Sequence, residues 1–191
     1  MKTYPSFVPR QESPAFSCSA VWSSLRWRDI DLDGRKITIT GSTAVIAGER
    51  VNGTTKSGRT RIVSIDDETV TVLRQRKDDQ TAEQLKAGDS WRGTKDGYVF
   101  TTGWGEPIYP DTVTSLMTKL IRANELLPHV RLHDLRHLHA TTLLLSGVPV
   151  HVVAARLGHA DPAITLRVYA HVIRSAEAAA ADIFAQAVKA A

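Results

Sequence analysis

The stretch RLHDLRHLHATTLLLSGVPVHVVAARLGHADPAITLRVYAHV, Arg131 to Val172, decides the fold. Its apolar residues recur at helical spacing, and its breaks fall where helices end. Ser146-Gly147 and Pro149 interrupt the first run, Gly158 closes the second, and Asp161-Pro162 opens a third. Three packed helices are predicted. In the first, His133, Arg136 and His137 fall within about 100 degrees of one face at the helical turn angle. Leu135, Leu138, Thr142 and Leu145 lie on the opposite arc, where they are expected to anchor the helix in the core. His139 sits off the histidine face and is expected to be a buried, hydrogen-bonded side chain.

Two chemistries compete for that face. His133 and His137, four residues apart, have the spacing for zinc on a helix. The metalloprotease pattern wants Glu directly after the first histidine, and Asp134 stands there instead. A third ligand could be His159 or His151, with nothing in the spacing to select one. The alternative is a phosphate. A guanidinium matches two phosphate oxygens, a neighbouring imidazole adds a hydrogen bond or moves a proton, and a helix N-terminus favours an anion. Downstream, His159 follows Leu157-Gly158, and Tyr169 comes ten residues later.

Working back toward the N-terminus, the pattern changes. Residues 35–40 (RKITIT), 42–54 (STAVIAGERVNGT) and 59–65 (RTRIVSI) read as strands, the last alternating Ile62 and Ser64 against Val63 and Ile65. Residues 55–59 (TKSGR), with Lys56 and a Ser-Gly pair, read as a hairpin tip between the last two. Helices are expected from Ser13-Pro14 to the LRW at 25–27, from Asp66 to about Gly88, and after Asp111 as its cap. Residues 96–110 give a short strand among Gly- and Pro-rich turns, and an Ala-rich helix ends the sequence.

The bulk numbers set bounds. With 191 residues and 42% hydrophobic content, the sequence can bury a real core. There are 24 Lys and Arg against 20 Asp and Glu, for a net charge of +4, which permits a polyanionic partner without demanding one. A single cysteine, Cys18, excludes an internal disulfide and fits a reducing, cytoplasmic setting. No apolar run reaches the roughly 18 residues of a membrane helix.

From about Leu25 to Val172 the sequence resembles the catalytic domain of the tyrosine recombinases, the phage integrase family. The matching pieces are LRWRDIDLDGRKITI (25–39), TKSGRTRIVSI (55–65), PDTVTSLMTKLI (110–121) and the whole of 131–172. In the last, H-x-x-R, L-G-H and Tyr come in the family's order and spacing. The resemblance implies an α+β fold, mainly helical, with a small antiparallel three-stranded sheet packed on a helical catalytic domain. It divides the chain into an atypical N-terminal segment (1–24), the catalytic domain (25–174) and the C-terminal Ala-rich helix (175–191).

The activity implied is site-specific DNA recombination or integration, by strand cleavage and rejoining through a 3′-phosphotyrosyl bond. Tyr169 would be the nucleophile and Arg136 would grip the non-bridging oxygens. His133 would hydrogen-bond the phosphate or shuttle the tyrosine proton. Lys56 would protonate the 5′ leaving group, His159 would support the scissile phosphate, and His137 would stand behind them. Arg59 and Arg61, beside the hairpin lysine, would contact DNA. Neither metal nor ATP is implied, since the phosphotyrosyl link conserves the bond for rejoining. The implied partners are double-stranded DNA and further copies of the chain, tetrameric on DNA and monomeric when free, at the nucleoid.

The resemblance fails at one place. The family carries another arginine nine residues before the Trp of LRW, followed three residues later by Glu. Here those positions are Cys18 and Val21. With the family's N-terminal DNA-binding domains also unmatched in residues 1–24, a truncated or degenerate recombinase domain is expected, either impaired in cleavage or reduced to binding DNA.

Overall fold

The computed structural model describes residues 18–54, 58, 60–94, 97–124, 126–175 and 184–189, with the backbone alone for Cys18 and residues 171–175. The chain first runs through a short helix α1 (Cys18–Trp22) and a 3-10 turn (Trp27–Asp29). Five strands follow: β1 (Ile30–Asp31), β2 (Lys36–Ile39), β3 (Gly41–Ile46), β4 (Glu49–Thr54) and β5 (Arg61–Ser64). Helices α2 (Asp67–Ala87), α3 (Pro110–Arg122), α4 (Leu132–Leu145), α5 (Val150–Leu157) and α6 (Pro162–Ser175) complete the order.

The strands form two antiparallel sheets, a three-stranded one in the order β1-β2-β5 and a two-stranded β3-β4 hairpin. This corrects the expected hairpin at residues 55–59, because β4 and β5 belong to different sheets. The observed turn is at Ala47-Gly48, both with positive φ (52° and 84°), the conformation that fits the right-handed twist of paired strands. Lys56 and Arg59 lie outside the described residues. In β5 the alternation holds, with Ile62 and Ser64 outward and Val63 half-buried against Ile37 of β2.

Helix α2 starts where the sequence signals it. The Asp66 carboxylate accepts from the Thr69 amide at 2.8 Å, with Asp67 and Glu68 in the first turn. Its inward residue Leu73 joins Leu25, Ile37 and Val99 in one core, lined further by Trp27, Ile30, Ile39, Ile65 and Phe100. For α3 the cap is Tyr109 with Pro110 in the first turn, so Asp111 lies inside the helix and does not cap it.

A second core joins α4, α5 and α6 through Ala140, Val153, Leu157 and Tyr169, flanked by Leu143, Leu144 and Val148. Here the expected orientation of α4 is overturned. Leu135, Leu138 and Leu145 are 44%, 63% and 60% exposed, and Thr142 is exposed with them. The inward face is the one bearing His133, Arg136, His137 and Ala140. A helix that lines a polar site turns its charged face inward, so the apolar stripe no longer marks the core.

The α4–α6 core is tied to the sheet by an arginine. Arg156 of α5 donates through Nη1 to the Ser64 carbonyl of β5 at 2.9 Å and through Nε to His139 at 2.9 Å. His139 is therefore hydrogen-bonded but exposed, not buried as expected. Near α1, Arg50 of β4 donates to the carbonyls of Ser23 and Ile108 and to Thr43 Oγ1. Its guanidinium lies 4.5 Å from the Tyr98 ring centre, with Arg26 4.2 Å from the same ring. Burial lowers the Arg50 pKa from its ordinary value, with Tyr98 opposing. Arg50→Ala would strand these acceptors and is expected to cost about 2–4 kcal/mol. Thermal unfolding should register a Tm lower by about 5–10 °C; a fall under one degree would show the hairpin to be held by other contacts.

Candidate active site

Helix α4 begins at Leu132, after Arg131, whose amide donates to the Asp134 carboxylate at 2.8 Å. Asp134 also receives the Arg131 guanidinium at 3.2 Å. The residue at the place of a metalloprotease glutamate is thus engaged in starting the helix. One turn in, the His133 and His137 rings meet edge to face with centres 4.8 Å apart. Zinc would need a third ligand there. Among the described residues no group of three or more His, Cys, Asp or Glu could hold a metal ion.

What His137 meets is Tyr169. The phenol oxygen lies 2.9 Å from His137 Nδ1, with ring centres 5.8 Å apart. With Nδ1 unprotonated the phenol donates to it. Tyr169 is 3% exposed, and its backbone leaves helical geometry (φ −108°, ψ 17°), so α6 breaks at this residue. Burial raises the phenol above its ordinary pKa, while the Arg136 charge pulls it down. Arg136 therefore acts on the same hydroxyl through space. The sequence places His137 behind the reacting groups; the structure puts it in direct contact with Tyr169.

Arg136 is oriented by α5. Its Nη2 donates to the Leu157 carbonyl at 2.6 Å, the last residue before Gly158. Gly158 closes α5 in left-handed geometry (φ 77°), which lets the His159 amide reach back to the Ala154 carbonyl at 2.9 Å. His159 then emerges beside α6, where its Nδ1 lies 2.7 Å from Oγ1 of the fully buried Thr165. The L-G-H motif so does two jobs: it supplies an acceptor for Arg136 and fixes an imidazole against α6.

Five of the eight residues singled out from sequence thus lie on this region. His133, His137 and Tyr169 form a contiguous row, Arg136 and His159 bracket the α5 terminus, and Lys56 and Arg59 lie outside the described residues. Arg61, at the start of β5, approaches Gly158 (a Cβ there would stand 2.5 Å from Arg61 Nη1). Position 18 opens α1, which packs on β3, α3 and α4. Two partners escaped the sequence. Thr165 carries a weak signal, standing four residues before Tyr169 on the same helix face. The Leu157 carbonyl carries none, because any residue has one. No helix among the described residues is long and apolar enough to cross a membrane.

The family model of the phage integrase family matches residues 22–175. A XerC-like tyrosine recombinase of Caldanaerobacter subterraneus is 31% identical over 163 residues, covering 78% of this chain and 41% of that protein. An integrase of Streptomyces ambofaciens is 31% identical over 138 residues, covering 69% and 34%. The chain thus spans less than half the length of these relatives. Among solved structures, the Tn1549 transposon integrase in complex with transposon right end DNA superposes with a TM-score of 0.71 at 16% identity, over 87% of this chain and 54% of that one. The XerA recombinase gives 0.59 at 22%, over 78% and 46%. The fold is theirs: mainly helical α+β with a small antiparallel sheet.

Proposed function

Because this chain belongs to the phage integrase family, we propose that it cuts and rejoins double-stranded DNA at specific sites through Tyr169. The observation that carries this reading is the phenol 2.9 Å from an imidazole nitrogen of the helix that also bears Arg136. A phenol with its ordinary pKa near 10 is a poor nucleophile at neutral pH, and burial makes it poorer. It needs an acceptor for its proton and a cation beside the anion that forms.

In the proposed step, Tyr169 Oη bonds to phosphorus while the bond from phosphorus to the 5′ oxygen breaks. The phenolic proton passes to His137 Nδ1, and the departing 5′ oxygen takes a proton from Lys56. Arg136 and His133 hold the non-bridging oxygens, and His159, fixed by Thr165, supports them. Phosphoryl transfer demands mainly positioning and charge stabilisation, which these groups supply. One phosphoester replaces another, so the reverse attack by a 5′-hydroxyl restores the DNA without an energy source. Assembly as a tetramer on paired sites, a monomeric state off DNA and a place at the nucleoid belong to the same reading, with Arg59 and Arg61 as further DNA contacts.

The test is a pool of nicked duplexes of random sequence, in which the short fragment beyond the cut diffuses away and traps the covalent intermediate. A band that survives denaturation, with a 3′-phosphotyrosyl peptide mapping to Tyr169, is the expected result. Salt-sensitive binding with no such band would make the chain a DNA-binding relative that has lost cleavage, the state that Cys18 in the family's arginine position favours.

A further inference from the structure

We propose that Arg61 supplies the second guanidinium that grips the scissile phosphate, the role that position 18 leaves vacant by carrying cysteine. The proposal rests on the DNA-cleavage reading above. Arg61 is the first residue of β5, held in register opposite Ile39 of β2. Its guanidinium crosses from the sheet to the end of α5 and lies over Gly158. A Cβ built on residue 158 would stand 2.5 Å from Nη1, 2.8 Å from Cζ and 3.1 Å from Nε of Arg61. Only glycine leaves that space open. The positive φ at this position selects glycine on its own account as well.

The peptide that Arg61 approaches is the one that orients Arg136, whose Nη2 donates to the Leu157 carbonyl at 2.6 Å. Standard bond lengths along that peptide then keep the two guanidinium groups within about 9 Å of each other. One comes from the sheet, the other from α4. His159, the next residue after Gly158, brings an imidazole to the same corner. Among the described residues no carboxylate lies within 4 Å of the Arg136 guanidinium. A planar guanidinium matches phosphate oxygens two at a time, and two of them meet at this helix terminus. The first-arginine position would deliver its cation from α1. Here β5 delivers one from the opposite element, on the strand that follows the segment with Lys56.

The test compares the full chain with Arg61→Ala, Arg61→Gln and Arg61→Lys on the duplex recovered from the random pool. That duplex is synthesised twice, once with a phosphodiester at the cut and once with a methylphosphonate, which lacks the negative charge. On the phosphodiester, Arg61→Ala and Arg61→Gln should form covalent adduct about 100-fold more slowly than the parent, and Arg61→Lys within about tenfold. On the methylphosphonate the deficit of Ala and Gln should shrink to less than about tenfold, because less charge needs neutralising. A purely scaffolding arginine would not distinguish the two substrates. Equal losses on both, or Ala and Gln variants within threefold of the parent on the phosphodiester, would overturn the proposal while leaving cleavage by Tyr169 intact. A lysine variant as slow as alanine on both substrates would do the same. A parent chain that captures no DNA overturns the cleavage reading, and this role with it.

Discussion

Phenylalanine at position 169 should leave DNA uncut. Tyr169→Phe removes one oxygen atom, the one proposed to bond to phosphorus, and nothing in the proposed mechanism substitutes for it. Of the other described phenols, Tyr98 is enclosed by Arg26, Arg50 and Asn52 near the β3-β4 hairpin, and Tyr109 caps α3. Covalent adduct should fall below detection, roughly 10,000-fold or more. The substitution is otherwise gentle. The ring stays packed with Ala140, Val153 and Leu157, and only the hydrogen bond to His137 is lost. That bond contributes about 1 kcal/mol, so Tm should drop by no more than about 4 °C. Binding to a nicked duplex should persist within about threefold, since a neutral phenol contributes little to phosphate affinity. Residual adduct in the Phe variant would place the nucleophile elsewhere and end the assignment.

The contrast between what the sequence discloses and what it hides follows from the range of the interactions. Helix α2 was legible because its signals are local: Asp66 accepts from an amide three residues on, and Val70 and Leu73 repeat at helical spacing. The break between α4 and α5 was legible for the same reason, as Gly147 takes the positive φ of 81° that ends a helix. The hairpin was misplaced because Ser57-Gly58 is a stronger turn signal than Ala47-Gly48. Alanine resists positive φ by its Cβ, and only the pairing of six residues on each side sets it there. The inversion of α4 was hidden by the assumption that leucines mark the inward face. Here the histidine and arginine face is the one that packs against α5 and α6, as the proposed phosphate site requires. Arg61 over Gly158 was beyond reach, because the residues are 97 positions apart, one at the start of β5 and the other at the end of α5.

Arg136 carries the second large effect, through both charge and aim. Its guanidinium is the cation whose field reaches the Tyr169 hydroxyl, and the Leu157 carbonyl at 2.6 Å fixes its plane. Arg136→Ala should slow adduct formation at least 100- to 1,000-fold, about 2.7–4 kcal/mol of transition-state stabilisation, because a charged, preorganised donor is removed where charge develops. The phenol should respond too. Without the cation that pulls it down, burial acts unopposed, and the Tyr169 pKa should move further above its ordinary value; ultraviolet difference titration of a Tyr4→Phe, Tyr98→Phe, Tyr109→Phe background, with and without Arg136, reads that sign. DNA affinity should weaken evenly across sequences, with the salt slope reduced by about one. Arg136→Lys restores the charge but not the planar fork, so it should recover the salt slope and only part of the rate. If lysine recovers the rate in full, the phosphate is held by charge alone, and the carbonyl of Leu157 has no part in orienting it. If alanine costs under tenfold, the cation that matters to Tyr169 stands elsewhere in the fold.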